Sequence, residues 1–467
     1  MEESASRPHV PAGRDVRDER PAGGASYHGG VASTMPRDPS SRLHRIDYID
    51  GLRAVAVLAV ILHHVGRQTG VAGATARIVH EGAHGVDLFF VLSGFCLAFP
   101  TLAKIARNGA SAFDVADFGA KRLVRILPPF YIATLALIAV FALPHLLRHE
   151  APTVPIPSFG NVVASMLFLD ERVHLINGAF WTLMVEFRWY FAFPLLLALW
   201  VRAPRAFFAV GLASFVLYHF TRARGVDLGT LPGFMLGIVA ADLQLGGAAT
   251  RGWGAHVKRW AIPAAIASAA LGVAVEGQAR IPGLDGNDVL FPYQPTILGW
   301  QLATFFLVVA AGSMGPLRSL LALKPLVATG IASYGLYLVH EPAIEFVTHR
   351  LNHGLVAFGL ATGAALAAGF GFWFVAERPF TTGPLRRPLV DWFAPLIARV
   401  LAWLGLGRRI EIASPVVDDG VRAPAAVASV AVPVPSAVPA GAVPVGSAVV
   451  ANPVSATVSS VRAAFDG

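Results

Sequence analysis

The sequence is short of charge. Of its 467 residues only 14% are Asp, Glu, Lys or Arg, while 55% are hydrophobic, and the mean hydropathy is +0.59. A soluble domain needs a charged surface, and this composition excludes one. Cysteine is almost absent too. The single Cys96 rules out a disulfide framework and says nothing about the redox compartment. Residues 1–44 are polar and rich in Arg, Pro, Gly and Ser; they lack any apolar core, which argues against a signal peptide and for a disordered tail. The prolines of the Ala/Val/Pro/Ser tract at 413–467 exclude a long helix there, so a second disordered tail is expected.

What the chain has in abundance is long apolar runs. They lie at roughly 51–68, 86–104, 127–147, 179–200, 206–220, 230–247, 260–276, 295–314, 326–347 and 354–376. A bilayer core of roughly 30 Å takes about 20 residues per helical crossing. Backbone groups in lipid must pair within their own segment, so each run is expected to be a helix. Positive residues decide the orientation. Arg42, Arg45 and Arg53 precede the first run, Lys104, Arg107, Lys121, Arg122 and Arg125 follow the second, and Arg251, Lys258 and Arg259 follow the sixth. Arg202, Arg205, Arg318, Lys324, Arg378, Arg386 and Arg387 fall in phase with them. The expected fold is therefore all-α: a polytopic transmembrane bundle of about ten spans, with N- and C-termini cytoplasmic, in the inner cell membrane. The net charge of +8 is spent on those loops, so no nucleic-acid partner is expected. Residues 45–385 form the membrane domain. Residues 160–169 are too short to cross and suggest a re-entrant or interfacial piece. Residues 386–412 suggest an amphipathic helix on the membrane surface.

Ionisable groups inside such runs are costly and mark functional candidates. Arg53 and His64 are eleven residues apart, about three turns, so they share a helix face roughly 16 Å apart along the axis. A planar guanidinium suits a phosphate group, and an imidazole suits proton abstraction near neutral pH. The competing reading is that Arg53 snorkels to lipid headgroups and His64 bonds a helix carbonyl. His63 points about 100° away from that face. Asp87, at the start of the second run, either orients an imidazole or caps its helix. Ser93 can bond its own helix or a neighbour. Arg122 and Arg125 lie on one helical face, as ordinary loop charge or as a second grip on an anion. Glu186 needs a partner on another helix, because Arg188 two residues away faces elsewhere. Trp181 suits an interface. His340 and Glu341 sit within the ninth run, followed by Pro342, which is expected to loosen the helix.

These residues occur in a familiar order. Ile-Asp-Gly-Leu-Arg-Ala (49–54), Arg-x10-His (53–64), Gly-Val-Asp-Leu-Phe-Phe-Val-Leu-Ser-Gly-Phe (85–95), Lys-Arg-x-x-Arg-Ile-x-Pro (121–128), Trp-x-Leu-x-Val-Glu (181–186), Ser-Tyr-x-Leu-Tyr-Leu-x-His (333–340) and Glu-Arg-Pro-Phe (377–380) follow one another. The set resembles the acyltransferase-3 family of integral membrane O-acyltransferases. One departure is Phe187-Arg188 after Glu186.

The resemblance implies acyl transfer from cytoplasmic acyl-CoA, with acetyl-CoA the expected donor, to a hydroxyl of a carbohydrate or lipid-linked glycan. It implies His64 as catalytic base with Arg53 as its necessary partner. Asp87 joins them as a candidate catalytic residue, Arg122 and Arg125 join Arg53 in binding acyl-CoA, and Glu186, Trp181, Ser93 and His340 are the acceptor or cavity candidates. Neither metal nor bound cofactor is expected, membrane lipid is the remaining partner, and a single-domain form without an appended esterase-like domain is anticipated. The rival from another class is a multi-span transporter using the intramembrane Arg, His and Glu as a relay.

Overall fold

The computed structural model describes residues 46–108, 110–148, 158–169, 177–221, 228–247, 250–278, 297–351 and 354–413. Both expected tails lie outside them, apart from Ala413. Among the described residues every one of the ten apolar runs contains helix. In chain order these are α1 (Asp47–Thr69), the short α2 (Gly73–His80), α3 (Gly85–Asn108), α4 (Val115–Arg148), the short α5 (Phe159–Met166), α6 (Phe180–Arg202), α7 (Pro204–Thr221) and α8 (Leu231–Leu245). They continue with α9 (Gly254–Gln278), α10 (Ile297–Ser313), α11 (Gly315–Leu321), α12 (Lys324–Ile331), α13 (Ser333–Thr348) and α14 (Leu355–Phe372).

Six stretches among the described residues are long and apolar enough to cross a bilayer: Asp47–Thr69, Gly73–Ala106, Val115–Val140, Phe180–Arg202, Gly254–Ala274 and Leu355–Thr381. The pair α10 and α11 passes the same test together but bends by 101° between Ser313 and Gly315. The protein is thus a helical membrane protein with several spanning segments. Some apolar runs are not single straight helices. The ninth is broken at Ala332 into α12 and α13, and the tenth ends in a π-helical turn, Trp373–Glu377. Pro342 leaves α13 intact, which continues to Thr348. The expectation of a loosened helix is not met there; a proline within a membrane helix is tolerated where neighbours compensate the lost bond.

Helices α1, α3, α8 and α13 form the core. The α3–α8 crossing is close because glycine occupies it. A Cβ on Gly94 of α3 would lie 1.9 Å from the Phe234 carbonyl oxygen of α8, and one on Gly237 of α8 would lie 2.0 Å from the Val91 carbonyl oxygen of α3. Backbone meets backbone there, the contact that small residues permit in lipid. By contrast α9 and α14 show most of their surface, with Ile266, Leu271, Leu355 and Val356 exposed, as lipid-facing helices do.

Two elements beyond the tenth run fold back on α4. Helix α16 (Arg386–Trp403), reached through the single turn α15 (Arg378–Thr381), lays Val390, Phe393 and Ile397 against Ala120 and Val124. Its other side exposes Trp392, Leu396, Val400 and Trp403. Strand β2 (Arg409–Ala413) pairs antiparallel with β1 (Ala110–Asp114), and Arg408 Nε lies 3.0 Å from Asp114 Oδ2. Residues 160–169 hold α5 and a turn: Tyr131 donates to the Met166 carbonyl at 2.8 Å, and Phe168 stacks on Phe187 at 4.0 Å.

The glycine crossing can be checked directly. Gly237→Ala overpacks the α3–α8 contact and is expected to cost about 1–3 kcal/mol, read as a lowered thermal midpoint of the detergent-solubilised protein. Gly371→Ala, where an added Cβ meets nothing within 4 Å, is the control with no loss.

Candidate active site

One open cavity enters the core between α1, α3, α4, α6 and α13. Helix α3 lines it with Val86, Phe89, Phe90, Ser93, Cys96 and Leu97, an i, i+3, i+4, i+7 stripe that makes one face. Ten residues separate Val86 from Cys96, about 15 Å of helix. The two ends differ in chemistry.

The first end is cationic. Arg53 of α1 and Arg122 and Arg125 of α4 all line it. Arg53 Nη1 lies 3.3 Å from Asp50 Oδ1 one turn earlier, so one carboxylate offsets one of the three guanidiniums. Arg122 Nε is buried and has no hydrogen-bond partner. A desolvated guanidinium donor without an acceptor is costly, and an anion entering the cavity would supply one. Above this end Glu186 of α6 accepts hydrogen bonds from the Ser93 and Tyr190 hydroxyls through the same carboxylate oxygen. Ser93 belongs to α3, so Glu186 does find its partner on another helix.

Behind the second end, where Tyr337 and Thr182 form the wall, lie a base and its support. His64 Nδ1 lies 2.8 Å from Glu341 Oε1 of α13. A carboxylate only accepts, so Nδ1 carries the proton and the Nε2 lone pair is left for a substrate proton. The other oxygen of Glu341 accepts the Ala179 N–H at 3.0 Å, just before α6. Asn177, in the same turn, donates to the Leu338 carbonyl at 2.8 Å and so ties that turn to α13. Glu341 is therefore engaged on both oxygens, and Oε1 holds His64 in place. The His64 ring packs edge-on against His340, with centroids 5.1 Å apart, and His340 lies 5.6 Å from Tyr337, which lines the cavity. His340 is fully buried; its Nδ1 donates to the Tyr337 carbonyl at 2.8 Å and its Nε2 has no partner.

The expected residues fall into place unequally. Arg53, Arg122, Arg125, Ser93 and Glu186 line one cavity. His64 and His340 do not line it; His340 packs on Tyr337, which does, and His64 packs on His340. His63 turns away, its Nδ1 donating to the His80 carbonyl of α2 at 2.8 Å, so the two adjacent histidines have separate partners. Asp87 does hold an imidazole, but it is that of His84 at 2.9 Å, stacked in turn on Trp300; the carboxylate on His64 is Glu341. The reason is spacing. Three residues bring His84 onto Asp87 around the turn that precedes α3, whereas His64 faces α13. Trp181 is half-buried against the core and does not line the cavity. Glu341, Tyr337 and Thr182 were given no role from the sequence. The adjacent His340-Glu341 pair within an apolar run was the one available signal. His64, His340 and Glu341 also bring ligand-type atoms within 4.8 Å of one another, a set of the kind that can take a divalent ion. Both Glu341 oxygens are already engaged by neighbours.

The Glu186 pair of bonds carries a measurable share of stability. Tyr190→Phe or Ser93→Ala each removes one donor from a half-buried carboxylate. Each is expected to cost about 1–3 kcal/mol, seen as a lower thermal midpoint in detergent, and the double variant should lose more than the sum, because the two hydroxyls share one oxygen and either can partly serve it when the other is gone.

The family model described as an acyltransferase domain, that of acyltransferase-3, matches residues 46–376. The chain is 26% identical over 335 residues to the O-acetyltransferase OatA of Staphylococcus aureus, covering 66% of this chain and 52% of that protein. It is 26% identical over 338 residues to the peptidoglycan O-acetyltransferase OatA of Listeria monocytogenes, covering 65% and 50%. It is 27% identical over 379 residues to the acyltransferase MdmB of Streptomyces mycarofaciens, covering 72% of this chain and 88% of that one. The chain thus spans about half the length of the OatA relatives. No solved structure matches it significantly. The family model covers every helix that contributes to the cavity, and the chain belongs to the acyltransferase-3 family.

Proposed function

We propose that the protein is a membrane O-acyltransferase that moves an acyl group, acetyl in the first instance, from cytoplasmic acyl-CoA to a hydroxyl of a carbohydrate or lipid-linked glycan. The observation that carries this reading is a cavity lined by three arginines that follows α3 for about 15 Å, with Tyr337 and Thr182 also in its wall and the His64–Glu341 pair packed behind Tyr337 through His340. That length is of the order of a pantetheine arm. The phosphates of the donor would sit on Arg53, Arg122 and Arg125, whose planar forks suit them. The arm would follow the α3 stripe, and the thioester would arrive near Tyr337 and Thr182.

His64 then acts as general base. Its Nε2 takes the proton of the acceptor hydroxyl, the hydroxyl oxygen attacks the thioester carbon, and the proton passes to the departing thiolate. Glu341 holds the imidazole in the useful tautomer and stabilises its charged form. The relatives support the acceptor class: two are named O-acetyltransferases, one of them specifically of peptidoglycan.

We further propose that the chain crosses the membrane ten times with both termini cytoplasmic. The phase of the basic loops supports this, and in that orientation the three arginines would face the side where acyl-CoA is made. Helices α7 and α8 are shorter than a full crossing but are flanked by α6 and α9, which are not.

The test is transfer of labelled acetyl from acetyl-CoA to a lipid-linked glycan in membranes. His64→Ala should lower the rate about 10²–10⁴-fold. A wild-type rate in that variant would remove the mechanism, and loss in His63→Ala alone would move the base by one position. Arg122→Ala and Arg125→Ala should each raise KM for acetyl-CoA with kcat little changed, the signature of lost ground-state binding. Glu341→Gln should lower kcat with KM nearly unchanged, since it alters the support of the base and not the donor grip.

A further inference from the structure

We infer that the Tyr337 hydroxyl is the hydrogen-bond donor that stabilises the oxyanion formed from the thioester carbonyl. This deepens the acyltransferase reading above and rests on it. Attack on a thioester puts negative charge on the carbonyl oxygen, and that charge needs a donor already in place in a site shielded from water.

The cavity offers few donors at the end nearest His64. Ser93 and Tyr190 are both committed to Glu186. Tyr334 donates to the Ile126 carbonyl at 2.9 Å, beside Arg125, and so belongs to the arginine end. Cys96 lies at the far end of the α3 stripe from Val86, and a thiol is a weak donor. Ser333 opens α13 one turn before Tyr337, on the Tyr334 side. That leaves Tyr337 and Thr182, which face each other with their oxygens 2.6 Å apart.

The bonding of Thr182 tells the two apart. Its hydroxyl donates to the Ala179 carbonyl at 3.1 Å, the usual back-bond of a helical threonine. Thr182 has one proton, so at rest Tyr337 must be the donor in the shared bond and Thr182 the acceptor. A phenolic O–H has two in-plane orientations; one meets Thr182 and the other turns away from it. Tyr337 is therefore a buried neutral donor whose partner is a hydroxyl that keeps its own bond when Tyr337 leaves. Its ring is wedged between Phe89 at 5.8 Å and His340 at 5.6 Å, which fixes the direction of the oxygen. On α13 the positions 337, 340 and 341 lie on one face, so one helix carries the proposed oxyanion donor, the imidazole packed on His64 and the carboxylate bonded to it.

The step balances as follows. The acceptor oxygen bonds to the thioester carbon while His64 Nε2 takes the hydroxyl proton. The carbonyl oxygen becomes an oxyanion and accepts from Tyr337. Collapse restores the carbonyl, breaks the carbon–sulfur bond, and the CoA thiolate takes the proton from His64.

The experiment measures kcat and KM for acetyl-CoA on the full-length protein in membranes, beside His64→Ala. Tyr337→Phe is expected to lower kcat about 10²-fold or more and to leave KM within a factor of about two. A kcat within about threefold of wild type, with His64→Ala inactive, overturns the oxyanion assignment and leaves the acyltransferase reading intact; wild-type rates in both variants overturn the reading itself. Should Tyr337→Phe not accumulate as folded protein, ring-fluorinated tyrosines at position 337 decide. A kcat that changes in step with phenol acidity supports a donor, and a kcat indifferent to it overturns one.

Discussion

A carboxylate inside a membrane bundle must be fully engaged, and Glu341 meets that demand by joining three helices. It takes His64 from α1 on one oxygen and the Ala179 N–H, at the entrance to α6, on the other. The cost of burying the charge is offset by those two bonds and would return if either were lost. The same contacts fix the tautomer of His64. They also keep α6 close enough for Thr182 and Glu186 to face α3 and α13. The cavity therefore depends on a polar contact between α1 and α13, with apolar packing filling the space around it.

The cavity is built to change character along its length. Its walls are drawn from one stripe of α3, and the remaining helices decide what each level of that stripe faces. At the level of Cys96 it meets guanidiniums; at Ser93 it meets a carboxylate shared with Tyr190; nearer Val86 it meets hydroxyls and, behind them, imidazoles. Arginines along one part of the wall and a base behind another suit a substrate that is an anion with a long uncharged arm. The helix that supplies two of the arginines is held from outside as well. Helix α16 covers Ala120 and Val124 of α4, and the β1–β2 ribbon closes on the segment just before it, beyond the residues that the family model matches. This part of the chain thus helps to place α4 without contributing to the cavity lining.

Much of this was legible beforehand for a simple reason. Apolar run length reports helices, because lipid allows little else, and each of the ten runs does contain one. The Arg53–His64 spacing was legible because both lie on one continuous helix, where distance follows from residue number. Arg122 and Arg125 were legible as a pair on the same grounds. Asp87 was understood only in part: a carboxylate near an imidazole was expected, and the imidazole turned out to be its own neighbour, His84. Pro342 pointed to a weak helix where the structure keeps α13 whole.

What the amino-acid sequence determined alone was therefore one-dimensional: where helices form, which ionisable groups are carried into the bundle, and how far apart two groups sit on one helix. What only the tertiary structure decided was which side chains meet across helices. His64 and Glu341 are 277 positions apart, and Thr182 and Tyr337 are 155 apart. No local periodicity encodes such a pairing. It follows from how closely the α3–α8 crossing at Gly94 and Gly237 lets backbones approach and from how α1 and α13 pack, and that is a property of packing in three dimensions.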